Sequence, residues 1–219
     1  MILDTPIKKQ SLQKMAYHSL RQAILEREIE PGAVIKISKL AEKLNVSTMP
    51  VREALRQLEA ENMVSFNSNK SIVARQLSRD ELHDIYDLRV PLEIMALLKC
   101  FDRCDKQGYK RLEELHRKMS KKRISGAEWF NLNRFFHMSL YEMSGSPRLC
   151  KFLQELWNST GPYLRIFSES EKAVTRANRE HTLLLEALRS GDRAKAKKVL
   201  RKHLQNGLWV IESLLETTV

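Results

Sequence analysis

The sequence has 219 residues, of which 42% are hydrophobic and 30% charged, while glycine and proline number only 7 and 6. This composition favours a compact, largely helical protein with one large or two smaller domains over a disordered chain or an all-β fold. The formal net charge of +11 favours a polyanionic partner. The excess is spread along the chain, because residues 1–77 carry 12 basic and 8 acidic side chains and residues 78–219 carry 26 and 19.

The sequence predicts neither secretion nor membrane insertion. No apolar run approaches the ~20 residues that a membrane span needs, and the start of the chain lacks the apolar region of a signal peptide. The odd, sparse set of Cys100, Cys104 and Cys150 predicts no disulfide framework. We interpret these cysteines as small buried apolar residues and expect a cytoplasmic protein.

Residues 1–11 are predicted to form a flexible arm, and residues 12–77 a small domain of three helices and a hairpin. Apolar residues recur at helical spacing from Leu12 to the breaker at Glu30-Pro31-Gly32. Two further helices are predicted over 37–44 and 47–61. Short β-prone runs at 63–66 and 72–74 flank a polar turn, which predicts the hairpin.

Residues 78–219 are predicted to form a second, all-helical domain. Ser78 and Glu81 are spaced as a capping box at the start of a helix. Later helices are predicted over 105–121, 127–143, 147–167, 170–189 and 192–216, with breaks at 121–126, 144–147 and 190–192, each of which contains a glycine. The predicted fold class is therefore mainly α, with a C-terminal helical bundle.

A helix-turn-helix motif is predicted over residues 39–58. Ala41 is small where two helices would cross closely, and Asn45 stands at the turn, where it tolerates a left-handed backbone. Ser47 is placed to cap the second helix, and Pro50 falls in its first turn, where a missing N–H does no harm. Three helices followed by a hairpin are the layout of a winged helix. The alternative is an ordinary helical hairpin with solvated polar side chains.

The second helix of this motif would lie in the major groove of double-stranded DNA, with its N-terminal residues at the base edges. Arg52 is the candidate base reader, because Arg binds guanine O6 and N7 in a bidentate contact. Ser47 and Thr48 suit phosphate oxygens at the helix N-terminus. The remaining DNA-binding candidates are Met49, Arg56 and, in the predicted wing, Lys70.

The motif and its flanks resemble the GntR family of bacterial transcription regulators. The resemblance is carried by Ile29-Glu30-Pro31-Gly32, Leu40-Ala41, Val46-Ser47 and Pro50-Val51-Arg52-Glu53-Ala54-Leu55. Segments of the second domain resemble the all-helical FCD-like effector domain of FadR-type members, namely Asp87-Leu88-Arg89, Leu92-Glu93, Phe136-His137, Glu180-His181, residues 187–192 and His203.

This resemblance implies a regulator rather than an enzyme. It implies a homodimer on a palindromic operator, with two recognition helices about one DNA turn (~34 Å) apart. It also implies that a small organic acid in the helical domain relieves repression. Two departures concern the operator: Thr48 stands where members usually carry Arg, and the wing turn Asn69-Lys70-Ser71 lacks the usual Gly.

Three histidines on different predicted helices, His137, His181 and His203, are candidate metal ligands. Asn133 lies four residues before His137, hence on the same helix face. Three imidazoles and one oxygen ligand suit Zn²⁺, Ni²⁺ or a similar divalent ion. The resemblance implies an Asp at the place of Asn133, so this site would bind metal less strongly. The alternative is a polar pocket whose histidines hydrogen-bond a ligand directly.

Arg89 is a second candidate in the helical domain, because an Arg grips the carboxylate of an effector bidentately. Its spacing to Glu93 fits a simple surface ion pair equally well. Further candidates for effector binding are Asn133 and Arg134, with Tyr163 and Arg165 as weaker ones.

Two other classes of function are compatible with parts of the sequence. A metal-dependent enzyme would use the three histidines for hydrolysis, but no partnered general base accompanies them. A small-molecule binder without a DNA role is opposed by the run from Pro50 to Leu55.

Overall fold

The computed structural model describes residues 12–67 and 71–216, with side chains as far as Ser213. The chain divides between Gln76 and Leu77 into two compact units. The predicted arm at 1–11 and the wing residue Lys70 lie outside the described residues. None of the helices described is both long enough and apolar enough to cross a membrane.

The first unit holds three helices and a small sheet. The helices are α1 (Leu12–Leu25), α2 (Ile37–Lys43) and α3 (Thr48–Ala60), and the strands are β1 (Val34–Ile35), β2 (Val64–Phe66) and β3 (Ile72–Ala74). The sheet is antiparallel in the order β1-β3-β2, with Ile72 opposite both Ile35 and Phe66. The hairpin formed by β2 and β3 is the one predicted, whereas β1 was not predicted.

The core of this unit lies between α3 and the helices that pack on it. Val51, Ala54, Leu55 and Leu58 of α3 are fully buried, and both α1 and α2 contact this helix. The burial repeats every three to four residues, so α3 keeps one face in the core and the other in solvent.

Two local predictions in the first unit need correction. The first helix ends at Leu25, well before Pro31, because Arg27 adopts a left-handed backbone with φ of 62°. Ser47 does occupy the N-cap position of α3, but its side chain makes no capping hydrogen bond. The left-handed turn at Asn45 is confirmed, with φ of 52°, and the Val46 N–H donates to the Ala41 carbonyl across it.

The second unit is a bundle of six helices. They are α4 (Arg79–Arg103), α5 (Lys106–Met119), α6 (Gly126–Glu142), α7 (Pro147–Phe167), α8 (Glu171–Ser190) and α9 (Arg193–Glu216). Ser78 and Glu81 form the predicted capping box, and Gly191 ends α8 with φ of 74°. The fold class, mainly α with a winged helix-turn-helix and a helical bundle, is confirmed.

The bundle has a polar interior. Helix α4 packs against α6, α7 and α9, and α5 packs against α6 and α8. Large aromatic side chains fill much of the core, yet several polar side chains are also buried there: Arg89, Glu93, Asn133, His137, Asn158, Thr160, Glu180 and His181. Charged residues are almost never buried without a partner. A cluster of this kind therefore marks a site.

Candidate functional site

The outer face of α3 carries the side chains predicted to contact DNA. Ser47, Thr48, Met49, Arg52 and Arg56 are all exposed, and Met49 is 64% exposed although it is apolar. The core residues of the helix occupy its opposite face. The outer face of α3 is consequently accessible to a partner along two helical turns.

Three imidazole nitrogens converge inside the bundle. His137 comes from α6, His181 from α8 and His203 from α9. The Nε2 atom of His137 lies 3.4 Å from Nε2 of His181 and 3.3 Å from Nε2 of His203. A tetrahedral Zn²⁺ with Zn–N bonds of about 2.05 Å places its nitrogen ligands about 3.3 Å apart. These two separations match those between nitrogen ligands of a tetrahedral metal ion, and candidate ligand atoms of all three histidines lie within 4.8 Å of one another.

Carboxylates from neighbouring helices hold two of these rings. The Nδ1 atom of His203 lies 2.8 Å from Oε2 of Glu180, and Nδ1 of His137 lies 3.8 Å from Oε2 of Glu93. A carboxylate beside Nδ1 favours the proton on that nitrogen and leaves the Nε2 lone pair free. His203 is thereby set to present Nε2 to the centre of the cluster. Glu93 favours the same arrangement in His137 by its charge alone, because its Oε2 atom has no hydrogen-bond partner.

Burial keeps the centre of the cluster uncharged. Burial, and then the neighbouring cationic groups, hold the pKa of both His137 and His181 well below the usual range. These imidazoles are neutral near pH 7, which is the form that binds metal. Burial acts to raise the pKa of Glu180, but the hydrogen bond with His203 lowers it overall, so that carboxylate is ionised.

Asn133 supplies a fourth candidate ligand. Its Oδ1 atom is buried and has no hydrogen-bond partner, and the residue lines one cavity together with His137 and His203. An unsatisfied buried carbonyl oxygen is costly. The neutral imidazoles of His137 and His181, the ring of His203 beside Glu180 and this oxygen form a donor set that fits a divalent cation.

The cavity beside the histidines is small in this conformation. Its volume is about 30 Å³, and its walls include Tyr86, Arg89, Trp129 and Trp157. A space of this size holds about one water molecule. An organic ligand would therefore need side chains of the wall to move.

Arg89 lines the cavity and is not part of a surface pair. Its side chain is buried, with Nε and Nη2 each 2.9 Å from Oε1 of Glu93, and Nη1 donates to Oγ1 of Thr160 at 3.0 Å. The alternative of an exposed ion pair is wrong, because α6, α7 and α9 cover this part of α4. The charge of Arg89 is already balanced by Glu93, and Glu93 in turn approaches His137.

The other predicted effector ligands are not brought into the cavity wall. Arg134 lies with its guanidinium carbon 5.7 Å from the centre of the Trp157 ring. The hydroxyl of Tyr163 accepts a hydrogen bond from the Leu77 N–H, and Arg165 pairs with Glu169.

Three residues of the site were not recognised from the sequence. Glu93 and Glu180 orient the histidines, and Trp157 lines the cavity with a buried indole N–H that has no partner. The adjacency of Glu180 to His181 and the spacing of Glu93 from Arg89 were visible signals. Nothing in the sequence distinguishes Trp157 from an ordinary core residue.

An exposed recognition helix on a winged helix, together with a buried polar cavity in a helical bundle, defines a ligand-responsive DNA-binding protein. Residues 12–73 match the model described as bacterial regulatory proteins, gntR family, and residues 84–206 match the FCD domain. The chain belongs to the GntR family, in the group whose effector domain is an FCD domain.

Named relatives agree with this assignment. The HTH-type transcriptional regulator McbR of Escherichia coli (strain K12) is 29% identical over 212 residues, covering 94% of this chain and 95% of McbR. The HTH-type transcriptional repressor GlaR of the same organism is 25% identical over 209 residues, covering 91% and 95%. A solved structure of E. coli McbR has a TM-score of 0.83 at 27% identity and covers 94% of this chain and 100% of its own.

The protein is therefore a DNA-binding transcription regulator whose activity is modulated by an effector. The family and these relatives are transcription regulators and not enzymes, so the two alternative classes of function are set aside.

The lowered pKa values predict how the stability of the metal-free protein depends on pH. Below about pH 6.5 an unfolded histidine takes up a proton, whereas folded His137 and His181 remain neutral. The free energy of unfolding is thus highest above this pH, and it decreases as the pH falls because only the unfolded state takes up the protons. For two groups we expect a decline of up to about 2.7 kcal/mol per pH unit, measured by urea unfolding of chelator-treated protein.

Matched variants isolate this effect from other titrating groups. The double variant His137→Gln/His181→Gln should show a shallower decline in the free energy of unfolding, because it removes both groups. The exposed His18→Gln should decline like the parent. An equally steep decline in the double variant would contradict the assignment.

Proposed function

We propose that the protein is a repressor that binds a palindromic operator as a homodimer and releases it when a small organic acid binds beside a metal ion in the bundle. The observation that carries this proposal is the convergence of three Nε2 atoms at a cavity that is also lined by Asn133, whose buried Oδ1 has no hydrogen-bond partner. The printed name of GlaR, a transcriptional repressor, supports the sign of regulation.

In this proposal α3 enters the major groove. Arg52 reads a guanine, Ser47 and Thr48 bind phosphate oxygens, and Met49 and Arg56 contact the walls of the groove. Lys70 would reach a phosphate from the wing. Thr48 offers a hydroxyl where family members usually offer a guanidinium, so more of the base recognition depends on Arg52.

Substitution of Arg52 tests this assignment. Arg52→Ala should lower the affinity for DNA from the intergenic region beside the gene by about 5- to 150-fold, because a bidentate base contact contributes about 1–3 kcal/mol. Arg52→Lys keeps the charge but loses the fork, so we expect it to retain non-specific binding and to lose sequence preference. The measurement is a gel shift against specific and shuffled duplexes. Full specificity in Arg52→Ala would refute the assignment.

The metal site of this proposal uses His137, His181, His203 and Asn133 to hold Zn²⁺, Ni²⁺ or a similar ion. Such an ion supplies a Lewis-acidic docking point for a carboxylate oxygen. Because all four ligands are neutral, a bound divalent cation would keep its full charge. An anionic ligand would compensate that charge, which favours an organic acid as the effector.

A chain of contacts connects this site to the first helix of the bundle. Glu93 on α4 approaches His137 on α6 and binds Arg89, which in turn binds Thr160 on α7. Movement of His137 or of the cavity wall therefore changes contacts on three helices at once. The effector shifts the protein between two states only by its difference in affinity for them.

Metal content after purification tests the histidine cluster. The parent protein and the exposed-site control His83→Ala should retain a divalent metal, whereas His181→Ala should lose it. Asn133→Asp should hold metal more tightly, because a carboxylate adds a compensating charge. Elemental analysis and competition with a chelator measure both effects. Equal metal content in His181→Ala and the parent would reject the site.

An exposed apolar stripe on α4 is the surface that we propose for the dimer. Leu88, Pro91, Met95 and Leu98 are spaced by three, four and three residues along one face of this helix, and Leu88 and Met95 are 54% and 47% exposed. This spacing is the one with which two helices pack along a common seam. A two-fold axis lets the same stripe pack against itself in a second copy.

A charge placed in the stripe should separate the two copies. Met95→Glu would bury a carboxylate at the seam, so we expect sedimentation at micromolar concentration to give a monomer. The exposed Gln107→Glu adds the same charge on α5 and should leave the dimer intact. A Met95→Glu protein that sediments as the parent does would overturn the proposed interface.

A further inference from the structure

Four basic residues of α9 are exposed without an acidic partner. Lys197, Lys198, Arg201 and Lys202 occupy little more than one turn of the helix, and none forms an ion pair with any residue the structure describes. Their neighbours at the start of α9 behave differently, because Arg193 binds Asp102 and Lys195 binds Glu186.

The contacts between α8 and α9 add a fifth cation to this set. Lys195 lies against Glu186, and His203 lies against Glu180, so the two helices run antiparallel. Lys202 follows Lys195 by seven residues along α9, and Arg179 precedes Glu186 by seven residues along α8. Because seven residues are two helical turns, this register predicts that Arg179 is close to Lys202. Arg179 is exposed as well, and we call these five residues the basic face.

The basic face is electrostatically unfavourable as it stands. Lys197 and Arg201, and likewise Lys198 and Lys202, are four residues apart on one helix, where like charges repel. No described acidic side chain offsets them. The bundle therefore carries a concentrated positive surface that none of the proposed roles in dimer formation, metal binding or DNA reading by α3 uses.

A membrane is a poor partner for this surface. An interfacial helix must insert a continuous apolar face between lipids. Among the described side chains of α9, Ala196, Leu200, Leu204 and Ile211 are buried in the bundle, and Trp209 is an isolated large apolar side chain in solvent. A polyanion that needs only surface charges fits better. Duplex DNA is such a polyanion, and the protein already binds it.

We propose that the basic face binds the phosphate backbone of double-stranded DNA without sequence preference. Lysine is a flexible point charge, and lysine and arginine contacts to phosphates give affinity and salt dependence but no base readout. The bundle thereby adds a second DNA contact to that of the winged helix. This inference goes beyond the proposed repressor function and holds whichever effector the cavity binds.

A charge-matched pair of variants of the full chain tests the proposal. In the first, Lys197, Lys198, Arg201 and Lys202 are replaced by Gln. In the control, the exposed Lys106, Lys110, Arg148 and Lys151 are replaced by Gln, which changes the net charge equally. The probe is a labelled duplex of about 60 base pairs of mixed sequence, and anisotropy titrations in KCl give the affinity and its salt dependence.

We expect the first variant to bind this duplex at least about tenfold more weakly than the parent, with a salt slope lower by about 2 to 4, since each lost phosphate contact removes about 0.9. The control should stay within about twofold of the parent. Equal losses in both variants, or no loss in the first, would overturn the proposal. So would unchanged DNA binding together with lost binding to phosphatidylserine vesicles, which would identify a lipid partner.

Circular dichroism melts of all variants show whether folding is intact. If the fourfold variant does not fold, the double variant Arg201→Gln/Lys202→Gln replaces it, with Lys106→Gln/Lys110→Gln as its control. The expected slope change is then about 1 to 2, and a double variant that binds as its control does contradicts the proposal.

Discussion

The buried ion pair between Arg89 and Glu93 is the interaction on which the helical bundle depends. Both side chains are almost fully removed from water, which costs several kcal/mol per charge unless the pairing is close. The two contacts of 2.9 Å supply it, and Thr160 satisfies a further donor of Arg89. Removing one partner of such a pair costs about 3–5 kcal/mol. The hydrogen bond to Thr160 connects this pair on α4 to α7, and Arg89 forms part of the cavity wall.

The histidine cluster likewise has carboxylates beside nitrogen-bearing side chains. Glu93 and Glu180 each place a carboxylate beside Nδ1 of one ring. Burial lowers the pKa of His137 and His181, so neither of these rings carries a second proton near pH 7. The Nε2 atom of His137 then faces Nε2 of His181 at 3.4 Å and Nε2 of His203 at 3.3 Å. A cation between these nitrogens would be bound by the lone pairs of all three rings. The acids that orient the rings therefore also account for why a cation would be favoured there.

Much of the fold followed from local signals, and the errors occurred where such signals are absent. Capping residues such as Ser78 and turn residues such as Asn45 and Gly191 act within a few positions, so the helices they bound were predicted closely. The two residues of β1 are too short to show a period, and the left-handed Arg27 has no sequence signature. The burial of Arg89 was undecidable because a spacing of four residues looks the same on a surface and in a core. The convergence of the histidines needs three helices at once, which the resemblance suggested and the structure supplies.

Asn133 connects the chemistry of the cavity to the choice of effector. With Asp at this position, the carboxylate ligand would neutralise one of the two positive charges of a divalent cation. With Asn, Glu93 is already paired with Arg89, and Glu180 beside His203 offers at most one negative charge, which is half of what a divalent cation requires. The compensating charge must then come from outside, because an uncompensated buried charge is costly. In the proposed function, a weaker hold on the metal and a stronger preference for an anionic ligand would thus have one cause. A metal and an anionic effector would in consequence bind cooperatively, each stabilising the other, and the cavity of about 30 Å³ would have to widen to admit both.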